Sequence, residues 1–168
     1  MKYAKMRIIG SLCLGLGAIG YAHALEPVTN ALSVHRVVVE SNGHERLESA
    51  ATAKPGDLLE YVVEFHNNGP SAVKGLAATL PLPAGTEFVM GSEAPMRPEA
   101  SLDGNRFESL PLKRRVTRAD GAVTEELVPA REYRYLRWSP ADLAANGTLT
   151  VRARVMVAPA VALAAAGK

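Results

Sequence analysis

Along much of this chain apolar residues recur at every second position, and glycine, proline, asparagine and aspartate interrupt the alternation at short intervals. A two-residue period marks strands with one buried face, and the interruptions are turn chemistry. In Leu58–His66, Leu59, Tyr61, Val63 and Phe65 point one way and Glu60, Glu64 and His66 the other. Thr148–Val157 alternates without a fault: Leu149, Val151, Ala153, Val155 and Val157 are expected inward, and Thr148, Thr150, Arg152, Arg154 and Met156 outward.

Other segments follow the same logic. Leu32–Glu40 is rich in β-branched residues and leads into Asn42-Gly43, a dipeptide suited to the positive backbone angles of a tight hairpin. Glu45–Ala50 is then a polar return strand at a sheet edge, and Pro55-Gly56-Asp57 is a turn. Val73–Leu80 and Thr86–Met90 are strands, separated by a proline-rich corner. Gly91–Glu99 is a loop, and Ala100–Phe107 a short hairpin about Asp103-Gly104. Pro111–Pro129 is charged around Ala119-Asp120-Gly121, and is either a projecting hairpin or a loop that orders on binding. Tyr133–Trp138 is a strand with Leu136 and Trp138 on one face. Eight or nine short strands with one apolar face give an all-β chain folded as a β-sandwich.

The ends differ from this pattern. Lys2, Lys5 and Arg7 precede an uncharged apolar stretch, Ile8–Tyr21, and Ala22-His23-Ala24 has the small-x-small form of a cleavage site. Residues 1–24 are therefore expected to be a cleavable signal peptide, 25–158 the sandwich domain, and 159–168 a flexible Ala-rich tail. The apolar stretch is shorter than the roughly 20 residues a membrane span needs, so no span is expected after cleavage. The leader holds three of the 19 basic residues and none of the 17 acidic ones, which leaves 16 against 17. A near-neutral mature chain gives no reason to expect nucleic acid as a partner. Its only cysteine, Cys13, lies in the leader, so the exported chain rests on packing alone.

Gly56-Asp57-x-Leu59-x-Tyr61-x-Val63, Asn67-Asn68-Gly69-Pro70, and Leu80-Pro-Leu-Pro-Ala-Gly-Thr-Glu-Phe-Val89 follow one another in a recognisable order. In order and spacing, from about Val34 to Val89 and again in Leu143–Val151, the chain resembles the bacterial and archaeal surface-repeat family catalogued as domain of unknown function number eleven. That resemblance implies an immunoglobulin-like sandwich on exported or cell-surface proteins. Each part of the motif also has a folding task. Either Asn67 or Asn68 can bond nearby backbone and stop a strand, Gly69 can take a positive angle, and Pro70 fixes the next one. Pro81 and Pro83 cannot donate to a ladder, so they end one strand and re-aim the chain toward Gly85. Asn68, Gly69, Pro70, Pro83, Gly85 and Trp138 are accordingly assigned structural roles.

Candidate chemistry is sparse. His35, His44 and His66 lack the spacing of a metal site, and Asp103-x-Asn105 and Asp120-Gly121 are better explained as turns than as calcium loops. No nucleophile elbow, phosphate-binding glycine loop or zinc-protease helix is present. Tyr133, Arg134, Tyr135 and Arg137 form the one aromatic and basic cluster that suggests a binding face, with Lys113, Arg114, Arg115 and Arg118 as basic neighbours. These readings lead to an exported, periplasmic or cell-surface module that is not an enzyme and takes no cofactor. Its expected partner is a protein or cell-envelope component. A surface-filament subunit that adds strands through the stretch after Leu25, and a carbohydrate-binding module, are the alternatives.

Overall fold

A computed structural model describes residues 27–159. The expected leader, 1–24, and all but the first residue of the expected tail, 159–168, lie outside them. The strands are β1 Val28–Val39, β2 Glu45–Ser49, β3 Leu58–Asn67, β4 Val73–Pro81, β5 Thr86–Phe88, β6 Glu99–Ser101, β7 Glu108–Ser109, β8 Lys113–Thr117, β9 Val123–Leu127, β10 Tyr135–Leu143 and β11 Thr148–Val157. One turn of 3-10 helix, Ala130–Glu132, precedes β10.

The strands form a five-stranded sheet in the order β2-β1-β3-β11-β5 and a four-stranded sheet in the order β4-β10-β6-β7. The β8–β9 hairpin makes a separate two-stranded sheet. The two larger sheets pack as sandwich-like layers, so the all-β expectation holds. Leu59, Val63 and Phe65 of β3, with Val151, Ala153 and Val155 of β11, meet Ala78 and Leu80 of β4 and Leu136, Trp138 and Leu143 of β10. Each large apolar side chain in such a layer contributes about 1.5–3 kcal/mol relative to exposure.

The faultless alternation of β11 appears as expected, with Val151, Ala153 and Val155 buried and Thr148, Thr150, Arg152 and Met156 exposed. β1 begins at Val28, earlier than expected, because Val28 and Thr29 still find partners in Asn67 and His66 of β3. β2 is the edge strand expected. Pro140 sits within β10 without breaking it. The register with β4 shifts between Trp138 and Ala141, and β6 pairs only with Tyr135–Arg137, so no ladder bond is demanded of Pro140.

Several local expectations change. Asn67, not Asn68, ends β3: it is fully buried. Its Nδ2 donates to the carbonyls of Ser71 at 2.8 Å, Ala144 at 2.9 Å and Leu143 at 3.3 Å, while its Oδ1 accepts the Gly69 N–H at 3.0 Å. Asn68 makes an exposed bond to Thr29 instead. Gly69 does not adopt a positive φ; it is small because a Cβ there would sit 3.2 Å from that Asn67 oxygen. At the Asn42-Gly43 turn only Gly43 takes a positive φ, 83°, and Glu40 closes the loop with Gly43 and His44. The turn is therefore wider than a two-residue hairpin. The hairpin expected about Asp103-Gly104 is present but wider than a two-residue turn: β6 pairs with β7 antiparallel, Glu99 with Ser109 and Ala100 with Glu108, so Gly104 stands at its centre. The intervening loop folds on side chains: Ser101 Oγ accepts the Gly104 N–H at 2.9 Å, and Asp103 Oδ1 accepts those of Asn105 and Arg106 at 2.8 and 3.1 Å. At the proline-rich corner Gly85 has φ 81°, and the Pro83 carbonyl accepts the Thr86 hydroxyl at 2.7 Å.

Trp138 is 7% exposed, and its Nε1 donates to the Pro95 carbonyl at 2.6 Å. Trp138→Ala is expected to lower the unfolding free energy by about 3–5 kcal/mol. Asn67→Ala, which removes bonds to three carbonyls and one amide, of which Ala144 O keeps another backbone partner in the Gly147 N–H, should lower it by about 2–4 kcal/mol. Asn68→Ala should stay below about 1 kcal/mol. Chemical denaturation of the three variants checks this order, and equal losses at 67 and 68 would contradict it.

Candidate functional site

The charged segment after Pro111 is a projecting hairpin. Lys113 pairs with Leu127, Arg114 with Glu126, Arg115 with Glu125, Val116 with Thr124 and Thr117 with Val123. Its tip closes with Arg118 N–H to Ala122 O and Gly121 N–H to Arg118 O, both 2.9 Å, and Gly121 takes φ 82°. Its base is fixed to the core. Leu112 and Val128 are buried, the Val128 N–H donates to Leu112 O at 2.9 Å, and the Leu112 N–H donates to the Tyr133 hydroxyl at 2.9 Å. Beyond that base little is covered: Val123 is 63% and Leu127 61% exposed.

A cleft of about 210 Å³ lies where the hairpin leaves the four-stranded sheet. Ala100, Leu112 and Val128 give it an apolar floor, and Arg106, Lys113 and Arg114 stand around it. This is below the roughly 300 Å³ at which pockets begin to hold drug-sized ligands, so it suits a single side chain better than a cofactor. Its charged side chains, cations as well as carboxylates, are engaged. Glu108 pairs with Arg106, Glu132 with Arg114 at 2.8 Å, and Asp103 holds the backbone of its own loop. Those backbone N–H groups keep the Asp103 carboxyl below the usual carboxylate range.

The aromatic and basic cluster does not form one open face. Tyr133 lies in the core, 1% exposed, with its ring stacked 6.1 Å from that of Phe88. Burial raises its phenol above the usual value. It belongs to the turn before β10, so the strand parity that placed it at the surface does not apply. Arg134 donates to the carbonyls of Arg131 and Tyr133 at 2.7 and 2.9 Å. Tyr135 lies against Gly104, where a Cβ would come within 3.0 Å of its ring. Arg137 bonds Glu99 at 2.7 Å and lies 3.8 Å above the Phe107 ring. Each of these side chains supports local structure.

A second charged cluster, on the outer face of the five-stranded sheet, was not foreseen. Glu60 points outward as expected but is 3% exposed. Arg154 covers it, donating from Nε to Glu60 at 3.0 Å and from both Nη groups to Glu45 at 2.9 and 2.7 Å. Arg152 stands 3.8 Å from Glu60. The bonds from Arg154 hold the Glu45 carboxyl below its usual value. The signal in the sequence was two acids, Glu60 and Glu64, inside an apolar run, with two arginines on the equally apolar last strand. Among the described residues no three His, Cys, Asp or Glu side chains come close enough together to hold a metal. No helix among them is long and apolar enough to cross a membrane. Val28–Arg36 lies in register with β3 of its own chain.

No known family model, curated protein or solved structure matches the chain.

Arg154→Ala leaves the buried Glu60 carboxylate without its nearest cation and is expected to lower stability by about 3 kcal/mol at neutral pH. Because Arg154 depresses Glu45 in the folded state, that pair contributes fully above the ordinary carboxylate range, and its contribution is lost as pH falls through the depressed value. The gap between wild type and Arg154→Ala should therefore narrow on acidification. Urea denaturation at neutral and acid pH tests the sign, and a gap that widens in acid would be inconsistent with it.

Proposed function

We propose that this chain is an exported immunoglobulin-like module of the bacterial cell envelope or surface that works by binding a protein or envelope component, not by catalysis. The basic, apolar and small-residue segments that end at Ala24 support export. The resemblance across Val34–Val89 and Leu143–Val151 supports an immunoglobulin-like arrangement on the surface, and a two-layer all-β architecture agrees with it. The observation that carries the binding role is the Lys113–Leu127 hairpin. It stands outside both large sheets and exposes Val123 and Leu127 between charged neighbours.

The other readings have less support. Carbohydrate stacking would need an open aromatic platform, and Tyr133 and Trp138 are buried. Strand donation through the segment after Leu25 would need β1 free, and it is paired to β3.

A photo-crosslinking residue at Val123 of the full chain, expressed in its own host, tests the proposal. The expected results are a mature chain starting at Leu25 in the envelope fraction and cross-linked products that are absent when the probe replaces Glu87, an exposed residue of β5. A cytosolic chain that retains Met1, or identical products from both positions, would overturn it.

A further inference from the structure

The β8–β9 hairpin has two edges, and neither pairs with a third strand among the described residues. Its ladder runs through the even-numbered residues, as the bonds Val128 N–H to Leu112 O and Arg118 N–H to Ala122 O show. Lys113, Arg115 and Thr117 of β8 therefore turn their backbone groups outward, and so do Val123, Glu125 and Leu127 of β9. The same six residues share one face, the one that exposes Val123 and Leu127.

Charge is divided between these edges. The β8 side carries Lys113, Arg114, Arg115 and Arg118, and the β9 side Glu125 and Glu126. Charged residues on an edge ordinarily prevent sheets from joining. Here they do so only for like edges: β8 against β8, or β9 against β9, sets charges of one sign opposite each other. β8 against the β9 of another molecule sets opposite charges together. In the antiparallel register already used within the hairpin, Arg115 would face Glu125, and Lys113 and Thr117 would face the exposed Leu127 and Val123 of the second copy. Among the described residues Arg115 and Arg118 have no carboxylate within salt-bridge distance, and Glu125 is held only by an exposed pair with Lys113 at 3.7 Å, which a second cation can share or displace at little cost.

We infer that the hairpin is a self-association element, in which the β8 edge of one copy receives the β9 edge of the next. The contact rests on the interaction-module reading and names a second copy of this chain as one partner. Because the two surfaces differ, the contact is head-to-tail, and it propagates into a linear assembly unless a rotation closes it into a ring. Affinity comes from main-chain pairing, and the choice of edge from charge.

Sedimentation velocity of the mature chain over a wide concentration range is the test. Association should appear at low salt and weaken at about 1 M salt, where screening acts within about 3 Å. Arg115→Glu and Glu125→Arg should each weaken it by about tenfold or more. The double exchange R115E/E125R should associate with itself again but fail to co-assemble with wild type. Arg115→Pro removes an outward N–H while sparing the hairpin's own ladder, and it too should block assembly. Circular dichroism of each variant separates loss of contact from loss of fold. A chain that stays monomeric throughout, or association indifferent to these substitutions, overturns the inference. So do products at Val123 that contain only a different protein; that outcome leaves the binding role of the module standing.

Discussion

The side chain of Asn67 is the junction on which the sandwich depends. β3 is paired on both sides over most of its length, so it has to end where the chain crosses to the second sheet. Asn67 supplies the end by satisfying carbonyls in the crossing segment and at the close of β10, in the other layer. Its own N–H donates to Gly147 O, in the connection that crosses from β10 back to β11. One buried amide thus joins three pieces of backbone drawn from both layers. The layers then close over Leu80, Leu136, Val151 and Val155, all at or near complete burial.

Charge plays two different parts on the two sides of the molecule. On the outer face of the five-stranded sheet, Arg154 draws Glu45 and Glu60 together across three strands, and the pairing is shielded enough that Glu60 is almost without solvent. Removing one member there strands another. On the β8–β9 hairpin the pairs are exposed, Lys113 to Glu125 at 3.7 Å for example, and such pairs contribute little to stability. Their significance lies in the separation of sign between strands.

Much of the sandwich was legible because period-two alternation reports which face is buried, and β3 and β11 are long enough to display it. The same parity held one further clue: 59, 61, 63 and 65 point inward, so 67 does too, which separates Asn67 from its identical neighbour Asn68. Parity says nothing where backbone bonds to side chains, and the loop of the β6–β7 hairpin is wider than its Asp103-Gly104 dipeptide suggests for that reason. It failed at Tyr133 because the turn at Ala130–Glu132 resets the strand phase two residues later. It placed Glu60 on the correct face but could not give its burial, which depends on how far Arg154 and Glu45 reach over it.

The attachment of the hairpin has an evolutionary consequence. Leu112 and Val128 are cross-bonded and buried side by side, and the Tyr133 hydroxyl seats the first of them. Everything between these brackets could be exchanged for a segment of other length and composition with both brackets intact. The sandwich and the projecting hairpin can therefore diverge at independent rates, and a descendant of this chain could acquire a new projecting surface by replacing a single contiguous stretch.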